Sequence, residues 1–170
     1  MQATSIRLYS LNFSDARTYL ASVAFVVGNI LLPQLFHLAP QGGMTWLPIY
    51  FFTLVGSYKY GWKMGLLTAI ASPIVNSFLF GMPMATTLPA ILLKSVILAL
   101  TAGFVAQHCC KVSIALLATV VLLYQAIGTL GEWALVGNFW MAMQDFRIGI
   151  PGMLLQVFGG YAFIHYFIRK

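Results

Sequence analysis

Charge is what this sequence has least of. Only 7% of its 170 residues are Asp, Glu, Lys or Arg, and only three of them are acidic. A soluble domain carries about 25% charged residues, so this chain cannot cover a soluble surface. Hydrophobic residues make up 61% of it and mean hydropathy is +0.89, which places it among integral membrane proteins. Cysteine is nearly absent. Cys109 and Cys110 are adjacent, where a disulfide is rare, and with one neighbouring His108 they fall short of a zinc set. They read as free thiols at a helix end, and neither a metal site nor a cofactor is expected. There is no Walker A loop, no His-Glu-x-x-His, no Gly-x-Ser-x-Gly and no pair of acidic residues on one helix. ATP hydrolysis by the chain itself is thereby excluded, and an enzyme is poorly supported. The first 16 residues are polar and lack a small-residue cleavage site, so no cleavable signal peptide is expected. The net charge of +6 does not point to nucleic acid, because the basic residues are scattered at helix ends rather than gathered on one face.

Long apolar runs are what the chain has in abundance. Their spacing predicts an all-α bundle of six membrane spans forming one domain. The spans lie at about 17–38, 45–58, 62–80, 86–107, 112–136 and 148–168, after an interfacial lead-in over 1–16. The breaks are rich in turn residues: Pro40, Gly42 and Gly43, then Gly61, then Gly81 and Pro83. The last loop, 137–147, has room for a short helix of its own. With the N-terminus inside, the inner ends hold Arg7, Arg17, Lys59, Lys63, Lys111, Arg169 and Lys170, and the outer loops hold only Arg147. That bias puts both termini on the cytoplasmic side, as an even number of spans requires.

The ninth basic residue, Lys94, lies within the 86–107 span. A charge at such depth costs at least ~2.5–3.5 kcal/mol on insertion scales and is read by default as functional, facing protein or a water-filled cavity. Other polar groups converge on the outer half of the bundle: Asn29, Gln34 and His37 on the first span, Asn76 on the third, and Gln125 and Glu132 on the fifth. The last outer loop adds Trp140, Gln144, Asp145 and Arg147, with Trp133 close by. The inner halves are almost purely apolar, so the pattern predicts a pocket open to the outside rather than a continuous pore. Each residue also has a plainer reading. Asn29 and Gln125 fit interhelical hydrogen bonds equally well. His37, Trp133 and Trp140 fit the membrane interface. Glu132 fits a structural ion pair with Lys94 or Arg147.

The architecture resembles the substrate-binding S component of energy-coupling factor (ECF) vitamin transporters, all-helical membrane proteins of similar size. The most similar stretch is 47–83, LPIYFFTLVGSYKYGWKMGLLTAIASPIVNSFLFGMP. Gly61, Gly65, Gly81 and Pro83 stand where that family has an inner glycine turn, a helix glycine and a Gly-Pro-type outer turn. Small residues four apart on the first span, Ala24 and Gly28 with Ala21 a turn earlier, resemble the face by which such proteins meet their coupling subunit. There the family more often has alanine at both places.

The resemblance implies capture of a vitamin or related micronutrient in an outward-facing pocket, in the cytoplasmic membrane of a bacterium. The partners would be one membrane coupling (T) protein and two cytoplasmic ATPases, with release inward by toppling. Helix N-termini, Lys94 and Arg147 favour a carboxylate-bearing ligand, while Glu132 and Asp145 argue for a cationic ring. Two other classes stay open: an MreD-like scaffold of the cell-wall elongation machinery, and a small oligomeric secondary transporter or channel.

Overall fold

The computed structural model describes residues 11–38 and 40–167. Residues 1–10 of the expected lead-in, with Arg7, and also Ala39, Arg169 and Lys170, lie outside the described residues. Everything regular among the described residues is helical. Helix α1 is Ala16–Phe36, α2 Gly42–Trp46, α3 Phe51–Tyr60, α4 Trp62–Phe80, α5 Leu88–Cys109 and α6 Ile114–Val136. Two short helices follow, α7 Phe139–Ala142 and α8 Gln144–Ile148. A last run is helical through α9 Ile150–Leu154, a π turn Leu155–Gly159, α10 Gly160–Ala162 and a second π turn Phe163–Phe167. Four helices, α1, α4, α5 and α6, are long and apolar enough to cross a membrane.

Helix α1 shows what solvates this bundle. Its buried residues are Thr18, Ser22, Asn29 and Pro33, while Leu20, Val23, Leu31 and Leu35 are exposed. A soluble helix is patterned the other way, apolar face inward. Turning the polar residues in and the large apolar ones out is the arrangement that lipid selects, because lipid leaves no polar group satisfied at the surface.

The second expected span needs correction. The sequence reading has one helix over 45–58, but the chain breaks at Leu47, whose φ of 47° is left-handed. Pro48 accounts for the break, since the residue before a proline is pushed out of the right-handed helical region. A short 3₁₀ turn, Pro48–Tyr50, then leads into α3. With 10 residues, α3 rises only about 15 Å, half a bilayer core. It is also the most enclosed helix, buried continuously from Thr53 to Lys59. Helices α1, α4 and α5 pack around it, α6 packs on α5, and the last helical run closes the gap between α3 and α6. Close approach of α3 and α4 depends on Gly65, where a Cβ would overlap the Ser57 hydroxyl.

The remaining spans fall near their expected places, α4 over the expected 62–80 and α5 and α6 displaced by two residues at one or both ends. The chain reverses at Gly61 and at 110–113, so these turns share one end of the bundle. The 37–50, 81–87 and 137–149 segments gather at the other, called here the Gly81 end.

Candidate functional site

Three structural decisions open a cavity at the Gly81 end. Pro48 breaks the second span, so α2 and the 3₁₀ turn lie across the bundle mouth instead of filling it. The 81–87 turn, pinned where the Ser77 hydroxyl donates to Pro83 O at 2.8 Å, holds Met82 and Met84 on the opposite rim. Helix α8 brings Asp145 to Lys94 of α5 and Gln144 to Met44 of α2. The cavity is about 690 Å³ and open to one side, within the range of small-ligand sites. Its wall is mainly apolar, from residues such as Pro33, Leu47, Tyr50 and Ile91. Its polar members include His37, Asn76, Thr87, Lys94, Glu132 and Asp145.

Lys94 is the centre of its polar edge. It lies in the second turn of α5, in the half of the helix toward the Gly81 end. Its ammonium is 2.5 Å from Glu132 Oε2 on α6 and 2.6 Å from Asp145 Oδ2 on α8. Two of the three acidic residues in the chain therefore converge on one lysine. Gly128 makes room for it, since a Cβ there would come 2.7 Å from Lys94 Cγ. The lysine side chain is 3% exposed and each carboxylate 19%. The lysine is thus the covered member of the triad, and the two acidic side chains are the more exposed ones.

Asn29 and Asn76 form a second, uncharged cluster. Asn29 Nδ2 donates to Thr53 Oγ1 at 3.0 Å and to Ser72 Oγ at 3.1 Å, and its Oδ1 accepts from the Phe52 N–H at 3.1 Å. Pro33 has no N–H to give the carbonyl of Asn29 four residues earlier, and Asn76 Nδ2 donates to it instead at 2.9 Å. One side chain thus ties α1 to α3 and α4, and the carbonyl freed by proline faces a helix rather than the cavity. The Oδ1 of Asn76 is buried and has no hydrogen-bond partner among the described residues.

The other expected site residues divide. His37 lines the cavity. Gln34, on the same helix, does not. Gln125 is fully buried between helices, with neither amide atom hydrogen-bonded among the described residues, and lies away from the cavity. Trp133 and Trp140 are exposed, 46% and 69%, and Arg147 stands over the Trp140 ring at 6.0 Å rather than over the cavity. These three belong to the rim of the bundle. Ala24 is exposed and Ala21 half-buried, but Gly28 is turned inward against the Phe52 ring, 2.8 Å from where its Cβ would be. Cys109 and Cys110 are free and exposed, and no cluster of metal-ligating groups occurs among the described residues.

Sequence reasoning passed over Tyr50, Met44, Met84 and Thr87 as cavity residues. The Met-Pro-Met turn at 82–84 was an available signal, read there only as punctuation, and Pro48 lay inside an expected helix. No protein-family profile, curated protein or solved structure matches the chain.

Proposed function

We propose that the chain is the substrate-capture (S) subunit of an ECF-type importer, taking a vitamin-sized micronutrient into the cavity at the Gly81 end. The observation that carries this reading is the cavity itself: large enough for a small ligand, mainly apolar, and provided with a few convergent polar groups. It lies at the end away from Arg17, Lys59, Lys63 and Lys111, and the positive-inside rule makes that the outer face. In the proposed topology six segments traverse the membrane with both termini inside. The half-length α3 is extended by α2 and the 3₁₀ turn, and the last helical run supplies the sixth crossing. The residence is the cytoplasmic membrane of a bacterium.

A scaffold of the elongation machinery has no use for an ion triad at a cavity wall. A channel needs a polar path onward, and below the cavity the core is closed by Leu54, Val55, Leu98 and Leu117, all fully buried. Docking to the membrane coupling subunit, with its two ATPases, falls to the exposed side of α1 around Ala21 and Ala24, where a close approach needs small side chains. Toppling of the bundle would then carry the cavity from one side to the other.

The test is affinity purification from native membranes followed by uptake. Recovery of a membrane coupling protein and two ATPases, and ATP-dependent uptake abolished by Ala24→Leu with ligand affinity unchanged, are the expected results. Stoichiometric recovery of cell-wall synthesis proteins instead overturns the reading.

A further inference from the structure

We infer that the ligand of this cavity is a cationic nitrogen compound, such as an amine or amidine on a compact apolar or aromatic body, rather than a carboxylate. The inference deepens the capture reading and rests on it. Three independent features of the wall point the same way.

The first is charge. One ammonium faces two carboxylates in the triad of Lys94, Glu132 and Asp145, so a net negative charge remains when all three are ionised. The lysine is the covered member at 3% exposure, and the two acidic side chains are the more exposed at 19% each. An incoming carboxylate would meet like charge, and an incoming cation would find oxygens left uncompensated by a single lysine.

The second is an unpartnered acceptor. Asn76 is 2% exposed, lines the cavity, and has its Oδ1 free of partners among the described residues while its Nδ2 is held on Asn29 O. A buried acceptor without a donor costs about 1–3 kcal/mol, which a ligand N–H would recover. A carboxylate has no proton to offer it.

The third weakens one argument for an anion. Helix N-termini hold anions through free backbone N–H groups, and several of those at the starts of α5 and α3 are already engaged. At α5, Leu88 donates to Met84 O, residue 89 is proline and has no N–H, and Ile91 donates to Thr87 O. At α3, Phe51 donates to Pro48 O and Phe52 to Asn29 Oδ1. Fewer donors are left at these two helix starts to grip an anion. The apolar wall around Leu47, Tyr50 and Ile91 then receives the uncharged body of the ligand.

The experiment uses the full chain in lipid nanodiscs and a panel of matched probes that share one body and differ only in the head group. Benzylamine against benzoate, phenethylamine against 3-phenylpropanoate, tryptamine against indole-3-propanoate and benzamidine against benzamide are suitable members. Binding is read by calorimetry and by the shift in unfolding temperature. Cations are expected to bind at least about tenfold tighter than their carboxylate or neutral partners, the size of a charge-assisted hydrogen bond. Glu132→Gln and Asp145→Asn should each reduce that preference by about tenfold or more. Each variant leaves Lys94 one carboxylate, so the unfolding temperature of the unliganded protein should stay within a few degrees and establish that it is folded. Equal or tighter binding of the carboxylates, with the same cavity variants weakening it, overturns the inference and leaves the capture reading standing. Saturable binding of neither series overturns the capture reading itself, and the inference with it.

Discussion

Two polar clusters sit within this bundle, and by sequence they look alike. One joins α1, α3 and α4 through Asn29; the other joins α5, α6 and α8 through Lys94. Asn29 is fully buried, and all its side-chain hydrogen-bonding atoms reach protein partners at 3.0–3.1 Å. Lys94 is as well enclosed, but its two partners keep part of their surface on a cavity. The first cluster is closed and neutral, which is what helix association in lipid requires. The second is open and unbalanced in charge, which helix association does not require. Asn76 touches both, giving its Nδ2 to the closed cluster while the residue lines the cavity. Burial alone therefore does not separate structural polarity from functional polarity in a membrane bundle. What separates them is whether the cluster completes itself.

Breaking each cluster should sharpen that contrast. Lys94→Met has the largest expected effect, because it strands two carboxylates together. Removing one partner of a buried ion pair costs about 3–5 kcal/mol, and the low end applies here since both carboxylates retain some exposure. Thermal unfolding should show a large loss, recovered in the triple variant with Glu132→Gln and Asp145→Asn. A Lys94→Met protein as stable as the original would mean that the triad is not formed. Next comes Asn29→Ala, which removes three side-chain hydrogen bonds at interhelical sites and should cost about 1–2 kcal/mol. Probe affinity in that variant should be unchanged, and a change in head-group preference would join the closed cluster to the site. The smallest effect belongs to Trp140→Ala on the exposed rim. Both stability and probe binding should stay within about 0.5 kcal/mol of the original, and loss of binding would extend the site to α7.

Depth was legible in the sequence and azimuth was not. The rise of 1.5 Å per residue places a polar residue along the membrane normal once a helix and its direction are known. His37, Asn76, Glu132 and Asp145 could accordingly be assigned to one end of the bundle, where the cavity lies. Which neighbour each one meets depends on helix rotation and packing, set by contacts such as Gly65 on Ser57 and Gly128 on Lys94. Asn29 and Gln125 therefore carried the same reading as Glu132, although they face helices and it faces the cavity. Gly28 shared a stripe with Ala24, yet the Phe52 ring claims it for the inside. Helix 2 failed for a local reason. Apolar periodicity runs smoothly through 45–58, and only the proline at 48 marks the left-handed break at Leu47. The argument for a carboxylate ligand rested on helix dipoles, Lys94 and Arg147, and the convergence of both Glu132 and Asp145 on that lysine is not visible without the fold.

The measurement that most directly tests the cavity as a ligand site is native mass spectrometry of detergent-extracted protein beside its Ala90→Phe variant. Ala90 lies on the cavity wall at 7% exposure, so a phenyl ring there occupies ligand space while every charge of the triad is kept. The expected result is a small-molecule adduct on the original protein that is absent from a folded Ala90→Phe protein. The same adduct on both proteins, at the same occupancy, would contradict the account.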